Sequence, residues 1–206
     1  MPGWSVVVPV KRLELAKTRL RPAVSPARHA ALVLAICLDT VTAARACPAV
    51  ARVMAVTDDR QATEALRALG ITIVPDEPDR GLNPALEHGA AVAVAAAPEA
   101  PVAVLSSDLP ALRPAELAQA LTAAAGHQRA FVSDASGEGT TLLAAATGQA
   151  LSPAYGLHSR TAHAASGARE LAGDWPSLRR DVDTAADLAV AAALGLGAHT
   201  AALLGR

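Results

Sequence analysis

Five short apolar runs rich in β-branched residues alternate with Ala-rich helical segments, and few folds accommodate that order. The runs are Val6 to Val8, Val50 to Thr57, Ile71 to Val74, Val102 to Leu105 and Ala130 to Val132, and they read as buried strands. Helical patterns are predicted between them over 26–46, 60–69, 84–97 and 114–125. Ser25-Pro26, Asn83-Pro84 and Arg113-Pro114-Ala115-Glu116 carry proline's fixed φ into first helical turns, and Gly70 ends the second helix. Strand, helix and strand in regular succession imply a largely parallel sheet with helices on both faces, an α/β sandwich of Rossmann-like type. At 206 residues, 52% hydrophobic and 18% charged, the chain suits a single domain over 1–206. Trp4, Phe131, Tyr155 and Trp175 are its only aromatic residues, so Ala, Val and Leu must build the core, which favours close helix-on-sheet packing.

Several functions are excluded. A formal net charge of −1 lacks the basic footprint of a nucleic-acid binder. Pro, Arg or Asp breaks each apolar stretch before membrane-spanning length, and the N-terminus lacks a basic segment followed by an apolar leader core. No membrane partner is expected, and a soluble, cytoplasmic protein is. Cys37 and Cys47 have no metal-ligand spacing and suit small buried thiols in a reducing compartment. With no lysine after Lys17 a Walker A loop cannot exist, no Gly-x-Gly-x-x-Gly follows the first run, and Gly195-Leu196-Gly197 is too short and too late to replace it. A Gly-x-Ser-x-Gly elbow and a Cys/His cluster are also missing.

Ligands of such sheets collect at the carboxyl ends of the strands. There the chain places Pro9-Val10-Lys11, Thr57-Asp58-Asp59, Pro75-Asp76-Glu77 and Ser106-Ser107-Asp108. Lys11 and Lys17 are the only lysines among eighteen basic residues, and both fall just after the first run. In a chain that otherwise uses Arg, a compact ammonium points to phosphate. The surrounding loop carries Lys11, Arg12, Lys17, Arg19 and Arg21; its plainer reading is a solvated basic loop. Asp108, at a strand end whose exit Leu109-Pro110 fixes, suits a divalent-metal ligand. Alternation puts Asp181 and Asp183 on one face of an extended segment, so three carboxylates could hold one or two Mg²⁺ ions. Alternatively, Asp183-Thr184 caps a helix through Asp187 to Leu194. Gly137-Glu138-Gly139 lets backbone approach a ligand, Thr140 and Thr141 add hydroxyls, and Leu142 onward continues as a strand.

The loop from Lys11 to Leu20, the Gly81-Leu82-Asn83 turn, Ser107-Asp108-Leu109-Pro110, Gly137 to Leu142, Tyr155-Gly156-Leu157-His158-Ser159 and Arg180-Asp181-Val182-Asp183 resemble, in order, the 2-phospho-L-lactate / phosphoenolpyruvate guanylyltransferases. That family is similar in fold to the molybdenum-cofactor guanylyltransferases and sugar nucleotidyltransferases and serves coenzyme F-420 biosynthesis. The resemblance, over roughly residues 4 to 195, implies a nucleotidyltransferase-type fold. It implies transfer of GMP from GTP to the acceptor's phosphate, with pyrophosphate leaving. Lys11, Lys17 and Arg19 would meet the triphosphate, with Lys17 and Asp108 catalytic, and Pro9 and Asn83 would add GTP contacts. Asp108, Asp181 and Asp183 would hold Mg²⁺, and Thr141, Gly156 and Ser159 would hold phosphoenolpyruvate or phospholactate. Transient contact with the next pathway enzyme is also implied. On the residues alone, Ser159 could be only a helix N-cap, His163 reads as a packing or helix-surface residue, and Arg160 or Arg169 is the candidate for a substrate carboxylate. Thr57 and Asp58 join Asn83 among candidates for guanine selection. Two other readings stay open: a related nucleotidyltransferase acting on a sugar phosphate or molybdopterin, and a nucleotide-binding protein without turnover.

Overall fold

The run Trp4–Pro9, apolar but for Ser5, forms β1 inside a seven-stranded sheet, between β2 and β4, where both of its faces can be buried. The computed structural model describes residues 3–14, 16–17, 19–20, 24–77 and 79–205; Arg21 of the cationic loop lies outside them. The other strands are β2 (Val50–Val56), β3 (Thr72–Val74), β4 (Val102–Leu105), β5 (Arg129–Ser133), β6 (Thr140–Ala145) and β7 (Arg169–Glu170). The helices are α1 (His29–Ala46), α2 (Arg60–Ala68), α3 (Leu82–Ala96), α4 (Pro114–Ala124), α5 (Ser159–Ala165), α6 (Pro176–Arg179), α7 (Ala185–Leu194) and α8 (Ala198–Leu204). The sheet order is β3-β2-β1-β4-β6-β5-β7.

The expected strands and helices are present, with shifted ends. A 3-10 turn over Pro26–Arg28 precedes α1, so that helix starts at His29 rather than at the proline. Leu82 and Asn83 enter α3 ahead of Pro84. β6 begins at Thr140 and runs antiparallel to both β4 and β5, which it separates. An inverted strand delivers its first residues to the edge where its parallel neighbours finish. Thr140 and Thr141 therefore arrive beside the exit of β4, where the Ser106 amide donates to the Thr141 carbonyl at 2.8 Å. Between Val132 and Ser133 the β5–β6 register shifts, leaving Thr141 as the extra residue of a bulge.

Strand alternation divides the core. Val6, Val8, Ala55, Ala103 and Leu142 face α1, α2 and α4, whereas Val7, Met54, Val56, Val104, Phe131 and Leu143 pack under α3. Each buried Val or Leu side chain stabilises the fold by about 1.5–3 kcal/mol. α3 comes very close to the sheet at Gly89, where an added Cβ would stand 2.5 Å from a Val56 methyl and 2.8 Å from one of Val7. This is the close packing expected of an aromatic-poor core. α1 has 18 residues with mean hydropathy 1.4, enough by length to cross a bilayer, but 61% of them are buried inside the protein. Its apolar residues Leu32, Val33, Ile36, Cys37 and Val41 are spent on the core.

Candidate active site

Opposite charges meet at the carboxyl edge of the sheet. Asp108 follows β4, and its backbone carbonyl accepts the Val182 amide at 3.0 Å, which draws the 181–183 segment across the rim. Val182 is fully buried with Leu20, Leu32 and Ile36. That segment is positioned from both ends. Upstream, the Glu116 carboxylate on α4 accepts the Ser177 amide at 2.8 Å and its hydroxyl at 2.7 Å. The Arg179 guanidinium donates to the carbonyls of Ser133 at 2.9 Å, Leu171 at 3.1 Å and Gly173 at 3.3 Å. Downstream, Thr184 caps α7 in a reciprocal box with Asp187. The cap is thus Thr184, and the Asp183 side chain is free for the rim.

The Lys17 ammonium donates to both Asp108 and Asp183, and Arg19 reaches Asp183 at 3.3 Å. Burial works against the charge on Lys17, but the Asp108 and Asp183 carboxylates outweigh it and hold the ammonium above the ordinary lysine range. The Asp181 carboxyl is pushed up to about 7, chiefly by burial and then by Asp108, with Lys17 opposing and Asp134 and Asp183 adding to the rise. Two bonds shape the loop bearing Lys17: the Leu13 amide donates to Asp59 and the His29 Nε2–H to the Ala16 carbonyl, both at 2.9 Å. Lys17 itself has a left-handed backbone, φ 53°.

Among the described residues no three His, Cys, Asp or Glu side chains already form a metal-holding group. Asp108 and Asp183 nonetheless hold a cation in the form of the lysine ammonium, and Asp108 Oδ1 is buried with no partner among the described residues. Carboxylate oxygens of this kind fit a hard divalent ion. The lysine expected on the triphosphate thus lies between two of the carboxylates expected on the metal.

A cleft of about 370 Å³ opens beside these charges, and Pro9, Lys11, Lys17, Arg19, Asp108, Tyr155 and Asp183 line it. Cys37 also borders it; burial, then Asp108, pushes its thiol up to about 12, so it remains protonated and is no nucleophile. Tyr155 also lines the cleft, and uncharged groups hold its backbone. Asn83 donates from Nδ2 to the Tyr155 carbonyl at 3.0 Å and accepts the Tyr155 amide at 2.8 Å. The Tyr155 hydroxyl is buried with no partner among the described residues, and burial, then Asp108, raises its pKa so that it remains a donor. Gly156 follows at φ +144°, a conformation side chains rarely adopt, with open space where its Cβ would be. Ser159 is the first residue of α5, not its cap; His158 occupies the cap position, and the Ser159 hydroxyl lies 3.3 Å from Thr140 Oγ1. Thr141 Oγ1 is buried and has no partner among the described residues.

Other expected contacts are engaged within the protein. The Thr57 hydroxyl accepts the Asp59 amide at 3.1 Å, Asp58 accepts the Asp76 amide at 3.0 Å, and both amide atoms of Asn83 hold Tyr155. Arg160 is bonded to Glu170 at 2.9 Å and to the Gly137 carbonyl at 3.1 Å, while Arg169 is exposed. His163, read from sequence as packing or helix surface, is fully buried and bonded through both ring nitrogens. Its position in one turn with Ser159 was the available signal, since residues four apart share a helix face.

Residues 4–204 match the profile of a family described as Guanylyl transferase CofC like. The chain is 60% identical over 204 residues to a phosphoenolpyruvate guanylyltransferase of Thermomonospora curvata, spanning 98% of this chain and 89% of the relative. It is 59% identical over 208 residues to a phosphoenolpyruvate guanylyltransferase of Geodermatophilus obscurus, spanning 98% and 94%. In fold it is similar to a candidate nucleotide-diphospho-sugar transferase from Desulfovibrio desulfuricans G20, with TM-score 0.70, 20% identity and coverage of 100% and 98%.

Proposed function

The chain belongs to the CofC-like guanylyl transferase family, and from that premise we propose that its cleft moves GMP from GTP onto the phosphate of phosphoenolpyruvate. The observation that carries this reading is the meeting of Lys17, Asp108 and Asp183 at one rim of a cleft that Lys11, Arg19 and Tyr155 also line.

An oxygen of the acceptor's phosphate attacks the α-phosphorus of GTP, the bond from that phosphorus to the bridging oxygen breaks, and pyrophosphate leaves. The attacking oxygen is already anionic, so no protein nucleophile is required, in accord with a cleft whose cysteine is held protonated. The work is positioning and charge neutralisation. Lys11 and Arg19 at the mouth, with Lys17 behind them, suit the triphosphate. Asp108, Asp181 and Asp183 would hold Mg²⁺, which when bound screens the phosphate oxygens and polarises the reacting phosphorus. Lys17 then has phosphate oxygens as alternative partners for its ammonium. Thr141, the Gly156 amide and Ser159 would hold the three-carbon acid, with Asn83 fixing the Gly156 backbone through Tyr155. The product belongs to coenzyme F-420 biosynthesis, in the cytoplasm.

Pyrophosphate release should be measured with GTP, Mg²⁺ and, separately, phosphoenolpyruvate, 2-phospho-L-lactate, 3-phosphoglycerate and a sugar 1-phosphate, with ATP as the nucleotide control. Release with GTP and phosphoenolpyruvate is expected. Release only with a sugar phosphate, or none despite GTP binding, would overturn the reading.

A further inference from the structure

His163 joins the start of β6 at Thr140 to Ala154, the residue before Tyr155, which lines the cleft. The His163 ring is fully buried. The Ala154 amide stands 2.9 Å from Nε2. A backbone N–H can only donate, so Nε2 carries the lone pair and the ring's single proton sits on Nδ1. Nδ1 lies 2.9 Å from Thr140 Oγ1 and donates to it. Burial, then the charge of Arg129, lowers the pKa of the ring to about 4, so it is neutral at ordinary pH and one tautomer prevails. The Tyr155 ring meets it edge-on at 5.0 Å and 76°, and Phe131 closes another side at 5.8 Å and 45°.

The proton order has a consequence beyond the ring. The Ser159 hydroxyl donates to Thr140 Oγ1 at 3.3 Å, and the second lone pair of that oxygen accepts from His163. The ring thus fixes Thr140, and Thr140 holds the Ser159 side chain in place. The same ring holds Ala154 immediately before Tyr155, whose backbone Asn83 grips from the other side. The course of the chain into Gly156 is thereby set on both flanks.

We propose that His163 is a positioning residue for the acceptor: through Thr140 it holds the Ser159 hydroxyl in place, and through Ala154 it places the Gly156 amide, so that both meet the anionic groups of the three-carbon acid. This rests on the reading that Gly156 and Ser159 hold that acid. The ring itself touches no substrate.

The test compares wild type with His163→Phe, His163→Asn and Thr140→Val, measuring kcat and KM for phosphoenolpyruvate and GTP separately, together with Tm. His163→Phe keeps the ring packing and removes both hydrogen bonds. It is expected to raise KM for phosphoenolpyruvate at least ~10-fold, the scale of unpaired buried donors, while KM for GTP stays within about 2-fold. His163→Asn places an amide donor near the Nδ1 position and should recover part of that loss. Thr140→Val should reproduce the split, and the double variant should cost little more than either single one, because both act along one path. A purely structural role would lower Tm or the active fraction with both KM values unchanged; that result, equal rises in the two, or strict additivity would overturn the proposal. If His163→Phe fails to fold, Thr140→Val carries the same comparison. Nitrogen NMR of the wild type adds an independent readout: a neutral Nδ1–H tautomer is expected, and Nε2–H would overturn it. Wild type without turnover of phosphoenolpyruvate would defeat the acceptor reading itself, whereas wild-type turnover with no KM split would defeat only the role of His163.

Discussion

The charged rim and the segment that brings Tyr155 to the cleft keep their shape by different means. On the loop side, Lys17 and Arg19 are placed by carboxylates across the rim, and the loop rests on single hydrogen bonds to Asp59 and His29. On the other side, Asn83, Tyr155, His163, Thr140 and Ser159 interlock through neutral bonds, two of them buried and three partly buried. An ion pair can exchange one oxygen partner for another at modest cost. A broken buried bond leaves a desolvated donor or acceptor, at about 1–3 kcal/mol. On the proposed function, the ionic side suits charge that moves during displacement, and the neutral side suits holding a small acid in a single orientation.

The contrast is broken most severely at its charged centre. Asp108→Asn keeps the side-chain shape and should fold normally, yet lose at least ~10²-fold in kcat, the scale of one charge-stabilising group; circular dichroism alongside pyrophosphate release checks both halves, and an active variant would remove Asp108 from the reaction. Removing the clamp in Asn83→Leu leaves the Tyr155 amide and carbonyl unpaired and is expected to raise KM for phosphoenolpyruvate ~10-fold while sparing GTP. If KM for GTP rises instead, Asn83 belongs to the nucleotide side, as its motif suggested.

Acid separates the walls by a different route. Folded His163 titrates near 4, whereas in the unfolded chain it titrates near 6.5, so between those values the unfolded state binds the extra proton. Its contribution to stability is complete above pH 6.5 and is lost as pH falls toward 4. Between pH 7 and 5 the wild type should lose on the order of 2 kcal/mol that His163→Phe does not, as read from urea unfolding. The smallest effect belongs to Arg19, whose side chain is 74% exposed. Arg19→Ala should weaken GTP a few-fold at low salt, and the difference should fade in ~0.5 M salt as screening removes it.

The charged wall was the more legible in the sequence. Asp108 and Lys17 each follow a strand closely, and Asp181 and Asp183 are two residues apart, so local rules bring them to one edge. What those rules could not supply was the pairing of Lys17 with Asp108, 91 residues away, and with Asp183, 166 residues away. The neutral wall mixes ranges: His163 reaches Ala154 and Thr140 from 9 and 23 residues away, but the Asn83 clamp is distant. Asn83 and Tyr155 are 72 residues apart, and neither side chain reveals its use until α3 and the 151–158 segment are folded together. For β6 the composition marked a strand, but its reversed insertion between β4 and β5 is decided by pairing geometry, which alternation of residue type does not encode. Helix starts shifted by two or three residues because proline fixes its own φ without fixing which residue makes the first helical bond.

The lysine held between Asp108 and Asp183 bears on the life of the chain before it meets any nucleotide. Carboxylates crowded at a sheet edge repel one another, and many acidic sites need an added ion before their loops settle. Here the neutralising charge is covalently part of the same polypeptide. On the proposed function, a newly made chain should complete its fold when free divalent ions are scarce, and a chelator should stop pyrophosphate release while leaving Tm unchanged.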